Sequence, residues 1–257
     1  MRLAIEQQGA GPDLVLLHGW GMNSAVWADF AEGLAADYRV TRIDLPGHGH
    51  SPYQDQHKLT AWAEACLDVA PERAVWSGWS LGSMVALQSA LLAPSRIEGV
   101  VVMAGMPRFV KALNWQHAMA TETLDQFIQI LHRDHHQALE RFLALQMLNS
   151  DQATRQLKRL KSLLRERPDP VPQALQSGLE LLKSVDLRDR LGDLSCTTTW
   201  IYGSRDTLAP ARATADLRQW LPQAETYIVE GAGHTPFLSH PEESTRLLRR
   251  SLESIHG

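Results

Sequence analysis

The 257-residue sequence predicts an α/β fold: a mostly parallel central sheet with helices on both faces and a helical lid insertion. Three observations predict it. Short, fully apolar runs recur along the chain, as in strands buried on both faces of a sheet. Helical patterns separate these runs, and that alternation implies parallel pairing, since each parallel connection must cross over the sheet. From Pro107 to about Val185 the alternation stops and only helical spacing remains, before strands return.

Each element has its own signal. Arg2 to Gln7 alternates weakly and reads as an edge strand, and Leu14 to Leu17 is a core strand ending in the loop His18-Gly19-Trp20-Gly21. A helix follows from about Ser24 to Ala35. Tyr38 to Asp44 is a second core strand, ending in the Gly- and Pro-dense turn Leu45-Pro46-Gly47-His48-Gly49-His50-Ser51. Leu59 to Val69 reads as a helix. Arg73 to Trp76 is a largely apolar run that leads into Gly78-Trp79-Ser80-Leu81-Gly82, and Leu81 to Leu92 is helical. Ile97 to Ala104 is the next buried strand. The insertion holds four predicted helices, Thr121 to His132, Gln137 to Leu148, Gln152 to Arg165 and Val171 to Leu182, the last two parted by Pro168, Pro170 and Pro172. Strand rhythm resumes at Thr197 to Tyr202, which ends in Gly203-Ser204-Arg205-Asp206. A helix near Arg212 to Trp220, a strand from Glu225 to Val229 ending in Gly231-Ala232-Gly233-His234, and an amphipathic helix from Glu242 to Ile255 complete the chain. Residues 1–106 and 186–257 thus form the expected core, and residues 107–185 the expected lid.

Composition narrows the function. A 44% hydrophobic and 21% charged chain is ordinary for a globular domain, and a net charge of −4 argues against a general nucleic-acid binder. Cys66 and Cys196 match no disulfide or metal pattern, which suits a reducing, cytoplasmic setting. The start lacks the apolar core of a signal peptide, and no apolar run reaches the length of a membrane span. None of His18, His48 and His50 has metal-ligand spacing with an acidic partner, so no metal and no cofactor is expected.

Residues 78–82 read G-x-S-x-G between a strand and a helix. Flanking glycines let the chain turn sharply enough to expose the serine hydroxyl at the tip. A serine hydroxyl is a weak nucleophile at neutral pH; it needs a base nearby, and the base needs an orienting carboxylate. His234 and Asp206 lie in loops just past core strands, where open parallel sheets gather their functional groups. Taken singly, Ser80 could be a helix N-cap and Asp206 a turn residue. In the order Ser, Asp, His they suit nucleophilic catalysis, with activity falling at acid pH as the base protonates. The oxyanion of the intermediate requires two N–H donors, for which Leu81, opening its helix, and Trp20, in the loop after the first core strand, are the candidates. His18, His48 and His50 read as loop-holding residues.

The segments HGWG at 18–21, DLPGHGHS at 44–51, GWSLG at 78–82, YGSRDTLAP at 202–210 and GAGHTPF at 231–237 together resemble the α/β-hydrolase superfamily over nearly the whole chain. LVLLHGWGMNSAVW, GWSLG, ERFLALQ at 140–146 and KSVDLR at 183–188 resemble one branch of it, the pimeloyl-[acyl-carrier protein] methyl ester esterases of biotin biosynthesis. The resemblance implies an α/β-hydrolase fold, a monomer, and a serine carboxylesterase acting on an acyl-carrier protein that bears a methyl-esterified dicarboxylate. It implies Ser80, Asp206 and His234 as the triad and Trp20 and Leu81 as oxyanion donors. Substrate contacts would come from Trp20, Ser80, Leu81, His234 and the lid residues Phe142, Leu143, Ala144, Leu145 and Gln146, and carrier-protein docking from Arg141, Arg155 and Arg159. Two departures stand out: Ser83 replaces a common second glycine after the elbow, and the spacing from Gln146 to Arg155 is one residue long. Charge agrees with an acidic partner, since residues 107–185 hold 11 Lys+Arg against 8 Asp+Glu, a net +3, leaving −7 for the remainder. Without the resemblance, a short-chain esterase, an aminopeptidase-like hydrolase or a ligand-sensing receptor on the same scaffold stays open.

Overall fold

Strand pleating sorts the apolar residues into two layers. The computed structural model describes residues 2–55, 57–146, 150 and 153–256. Its strands are β1 (Ile5–Gln8), β2 (Asp13–Leu17), β3 (Arg39–Ile43), β4 (Ala74–Trp79), β5 (Ile97–Met103), β6 (Thr197–Gly203) and β7 (Glu225–Val229). They form one seven-stranded sheet in the order β1-β3-β2-β4-β5-β6-β7. Only β1 runs antiparallel, against β3; all other pairs are parallel.

Alternate side chains of each strand enter opposite layers. Val15, Leu17, Trp76, Val100, Val102, Trp200 and Tyr202 pack with α2 (Leu59–Leu67) and α3 (Leu81–Leu92) on one face. Leu14, Leu16, Val75, Val101, Met103 and Ile201 pack with α1 (Ala28–Leu34) and α10 (Pro241–His256) on the other. Between β5 and β6 come α4 (Thr121–Arg133), α5 (His135–Gln146), α6 (Ala153–Leu164) and α7 (Pro172–Ser184). The short helices α8 (Ala213–Leu217) and α9 (Pro236–Ser239) flank β7. Residues 147, 148 and 152, expected in helices, lie outside the described residues.

Three local expectations change. The helix expected from Ser24 opens as a 3₁₀ turn over Ser24–Trp27, because the Asn23 side chain accepts the Ala25 N–H at 3.0 Å and holds the first turn tight. Residues 107–120 are not helical: Val110 bridges Met119, and Ala112 bridges Trp115 across a turn with Asn114 at φ +60. Buried Trp115 anchors that excursion, its indole donating to the Arg108 carbonyl at 2.8 Å. Leu187 N–H donates to the Pro107 carbonyl at 3.0 Å, so the two ends of the insertion leave the sheet side by side. Finally, α9, absent from the sequence reading, begins at Pro236, whose fixed φ suits a first helical position.

The topology positions the site. β2 pairs with β3 on one side and β4 on the other, so the strand order reverses between β2 and β4. In open α/β sheets the crevice beyond the carboxyl ends at such a reversal is where ligands bind.

Candidate active site

The turn after β4 is strained. Ser80 has φ +55 and ψ −120, a conformation that residues with a side chain rarely adopt. Two glycines make it possible. A Cβ on Gly78 would strike the Gly82 main chain, and one on Gly82 would lie 2.5 Å from the Leu17 and His18 carbonyls. Ser83 fits without a second glycine at its own position because Gly105 leaves the room; a Cβ there would run into the Ser83 side chain. The Ser83 hydroxyl in turn donates to the Ser80 carbonyl at 2.5 Å and holds the elbow.

The loops after β6 and β7 bring Asp206 and His234 together. His234 Nδ1 donates to Asp206 Oδ2 at 2.8 Å, with both side chains buried. The other carboxylate oxygen accepts the N–H groups of Leu208 and Ala209 at 2.8 and 3.0 Å, so Asp206 is oriented from both sides. A bond from Nδ1–H to the carboxylate leaves Nε2 as the basic nitrogen. That Nε2 is buried and has no hydrogen-bond partner among the described residues. The His234 main chain is held twice: its N–H donates to the Gln146 carbonyl at 3.3 Å, and its carbonyl accepts the Trp79 indole N–H at 2.7 Å. Trp79 precedes Ser80, so the elbow and the histidine loop are tied by a neighbour of the serine. Burial, then the charge of Asp206, pushes the Tyr202 phenol up, so it stays protonated beside the pair.

The loop after β2 lies against the elbow; a Cβ on Gly19 would sit 3.2 Å from the Ser80 Cβ. Two buried histidines shape this loop. His18 Nδ1 donates to the Gly19 carbonyl at 2.8 Å and its Nε2 accepts the Leu45 N–H at 2.9 Å. His48 Nδ1 donates to the Pro46 carbonyl at 2.9 Å and its Nε2 accepts the Gly21 N–H at 3.3 Å. Burial pushes His18 below its ordinary value, and burial together with neighbouring His18 pushes His48 down to about 3. Both rings are therefore neutral, which keeps Nε2 an acceptor. His50 differs: its main-chain N–H donates to Asp44 at 2.9 Å. Leu81 opens α3, so its N–H is among the four that a helix leaves unpaired.

The insertion covers this centre, with Ser80 3%, His234 2% and Trp20 0% exposed. Phe142 meets the Trp20 ring edge-on at 4.7 Å between centroids. Phe142, Leu143 and Gln146 face inward, Leu145 is partly covered, and Ala144 lies on the outer face of α5, since successive helical residues turn by about 100°. Neither polar atom of the buried Gln146 amide has a partner among the described residues. Of the three arginines, Arg141 is exposed on α5, while Arg155 and Arg159 line a cleft of about 440 Å³ with Asp29, Phe30 and Phe237. Arg159 is bidentate on Asp29, its shortest contact 2.6 Å. The residues that set the Gln146–Arg155 spacing include 147–149, 151 and 152, outside the described set. Among the described residues, no three His, Cys, Asp or Glu side chains gather as metal ligands, and no helix is long and apolar enough to cross a membrane.

Sequence reasoning assigned no role to Trp79, to the His18–His48 pair beyond holding loops, or to the glycines that let loops meet, such as Gly203, whose Cβ would strike the carbonyls of Ala232 and Gly233. An indole directly before Ser80 was the available signal for Trp79.

The profile of the family described as alpha/beta hydrolase fold matches residues 12–241. A pimeloyl-[acyl-carrier protein] methyl ester esterase of Photobacterium profundum is 43% identical over 96% of this chain and 97% of its own length. The protein of the same name in Aeromonas salmonicida is 42% identical over 97% of this chain and 98% of its own. Among solved structures, an esterase from Exiguobacterium antarcticum superposes with a TM-score of 0.86 at 20% identity, covering 99% of this chain and 96% of that one. A bromoperoxidase from Bacillus anthracis gives 0.87 at 20% identity, covering 98% and 95%. At that identity the two structures share a fold with this chain and nothing finer.

Proposed function

The chain belongs to the alpha/beta hydrolase fold family and, within it, to the pimeloyl-[acyl-carrier protein] methyl ester esterases, and from that premise we propose that it removes the methyl group from pimeloyl-carrier-protein methyl ester in biotin biosynthesis. It is a carboxylic ester hydrolase. The observation that supports Ser80, Asp206 and His234 as its triad is the 2.8 Å Asp206–His234 pair, whose Nε2 is buried without a partner among the described residues, tied through Trp79 to a serine at φ +55.

In this mechanism His234 Nε2 takes the Ser80 proton as Oγ attacks the ester carbonyl. The main-chain N–H groups of Trp20 and Leu81 hold the oxyanion, Leu81 with the field of the α3 N-terminus behind it. The C–O bond to the methoxy group breaks, and that oxygen receives the proton from His234 and leaves as methanol. Water, deprotonated by the same nitrogen, attacks the acyl carbonyl; the bond to Ser80 Oγ breaks, that oxygen takes the proton back from His234, and the free carboxylic acid leaves. Residues 107–185 act as a lid: Phe142, Leu143 and Leu145 line the acyl path, and the Gln146 amide, unpaired among the described residues, offers the substrate a hydrogen bond. Ala144 enters that path only when the lid shifts. Arg141, Arg155 and Arg159 receive the acidic carrier protein, the enzyme acting as a cytoplasmic monomer.

Ser80→Ala tests the assignment. The variant is expected to fold as the parent does and to lose turnover of free and carrier-linked methyl esters by about 10⁴-fold or more. Substantial hydrolysis by folded Ser80→Ala protein would remove Ser80 as nucleophile. Steady multiple turnover by the parent separates this reading from a ligand-sensing receptor.

A further inference from the structure

We propose that α7, the last helix of the lid, positions the oxyanion hole by gripping the indole of Trp20 with a notch at Gly178 and the carbonyl of Leu175. The inference rests on the reading of the Trp20 N–H as an oxyanion donor.

The Trp20 indole is fully buried, and its Nε1–H donates to the Leu175 carbonyl at 2.7 Å, across 155 residues of sequence. One helical turn on, Gly178 presents a bare α-carbon to the same ring. A Cβ there would lie 2.6 Å from Trp20 Cδ1, 3.1 Å from Nε1 and 3.3 Å from Leu81 Cδ2. Gly178 has no positive φ, so conformation does not demand glycine at this helical position. An interior helical glycine is less favourable than alanine, and here the space it leaves is filled by both residues assigned to the oxyanion hole.

The notch can act on the chemistry because neither side can yield freely. α7 is pinned to the core independently of Trp20: the Val171 N–H donates to the Gly47 carbonyl at 2.8 Å, and the Tyr53 and Ser177 hydroxyls meet at 2.6 Å. Phe142 closes another side of the indole. On the main chain, His18 Nδ1 and, at 3.3 Å, the Met22 N–H both hold the Gly19 carbonyl. That carbonyl and the Trp20 N–H belong to one trans peptide, so they point in opposite directions. Fixing the carbonyl aims the N–H, and fixing the indole sets how far that N–H reaches. A misplacement of about 1 Å costs on the order of 10²-fold in rate. Gly178 and Leu175 are therefore positioning residues, and lid placement and oxyanion geometry are one variable.

The test uses the full chain, a small soluble methyl ester that needs no carrier protein, and a trifluoromethyl ketone, which forms an oxyanion with Ser80. For Gly178→Ala, kcat is expected to fall roughly 30- to 100-fold with KM within about threefold, and the ketone's Ki to rise by a similar factor, while the thermal midpoint stays within a few degrees. Trp20→Ala keeps the main-chain N–H but removes what Gly178 grips, so adding Gly178→Ala to it is expected to cost less than about threefold more. A full-sized further loss in that background, or a kcat loss with no change in Ki, overturns the proposal. If folded Gly178→Ala leaves the ketone's Ki unchanged, the proposal falls whatever the donor; the oxyanion reading is tested separately by an amide-to-ester replacement that removes the Trp20 N–H, and it falls if that replacement leaves Ki unchanged. Should Gly178→Ala not fold, Tyr53→Phe, which loosens α7 from the core, is expected to lower kcat and raise Ki by a few-fold with KM unchanged; unchanged values overturn the proposal.

Discussion

α6 and α7 belong to one insertion, yet they meet the core in opposite ways. α7 buries Ala174, Leu175, Ser177, Gly178, Leu179, Leu181 and Leu182. Main-chain hydrogen bonds tie it to the loop after β3 and to the site. α6 buries Gln156, Leu160 and Leu163 and turns Arg155, Lys158 and Arg159 outward. Its polar links to the core are modest: Asn23 Nδ2 to the Leu164 carbonyl at 3.4 Å, and the exposed Arg159–Asp29 pair, of a kind worth about 0–1 kcal/mol. Under the proposed function the two helices divide the work: the buried helix is expected to show in kcat, and the charged helix in KM.

The contrast can be broken from its largest consequence to its smallest. Asp206→Asn acts beneath both helices, so it is expected to lower kcat about 10⁴-fold for small and carrier-linked esters alike. Steady-state kinetics on both substrates checks this, and a loss confined to one of them would unseat Asp206 as the orienting group. Next comes Arg155→Glu with Arg159→Glu. Reversing two charges should raise KM for a carrier-protein ester by about 10- to 100-fold and leave a small ester within about twofold. Equal effects on both would dissolve the distinction between the helices.

The smallest effect is one of pH. His48 sits in the same turn as Gly47, which anchors α7, and its pKa is pushed from an ordinary 6.5 to about 3. The unfolded chain therefore binds a proton between those values that the folded chain does not. The His48 contribution to stability is complete above about pH 6.5 and is lost as pH drops toward 3, with a slope of up to about 1.4 kcal/mol per unit. A glutamine can accept from Gly21 N–H and donate to the Pro46 carbonyl without titrating. His48→Gln is thus expected to match the parent near pH 7 and to lose less stability by pH 4, as calorimetry across that range would record. A parallel decline in both proteins would assign the acid sensitivity elsewhere.

Much of the site was legible because its parts carry local stereochemical demands. A chain that turns at φ +55 and packs a helix start against two carbonyls leaves no room for a Cβ at Gly78 or Gly82, so the motif is written in residue types. Asp206 and His234 were legible from their place just past apolar runs. The outward face of Ala144 was hidden inside a block read as one unit, and the 107–120 excursion inside an insertion read as all helix. Four-residue α9 is too short to show a period. Trp79 and Gly178 look like filler in their own segments; their partners, His234 and Trp20, lie far off in the sequence.

The order of residues alone set where the chain alternates, where it turns, which serine is forced to a tip, and which aspartate and histidine follow later strands. These follow from hydrophobic period and backbone sterics, which act over a few residues. Only the tertiary structure decided that β1 runs antiparallel, that the order reverses between β2 and β4, that the Trp79 indole carries the His234 carbonyl, and that α7 has a notch where an indole lies. Those features depend on contacts between distant segments, where the shape of one surface becomes meaningful only once the other is packed against it.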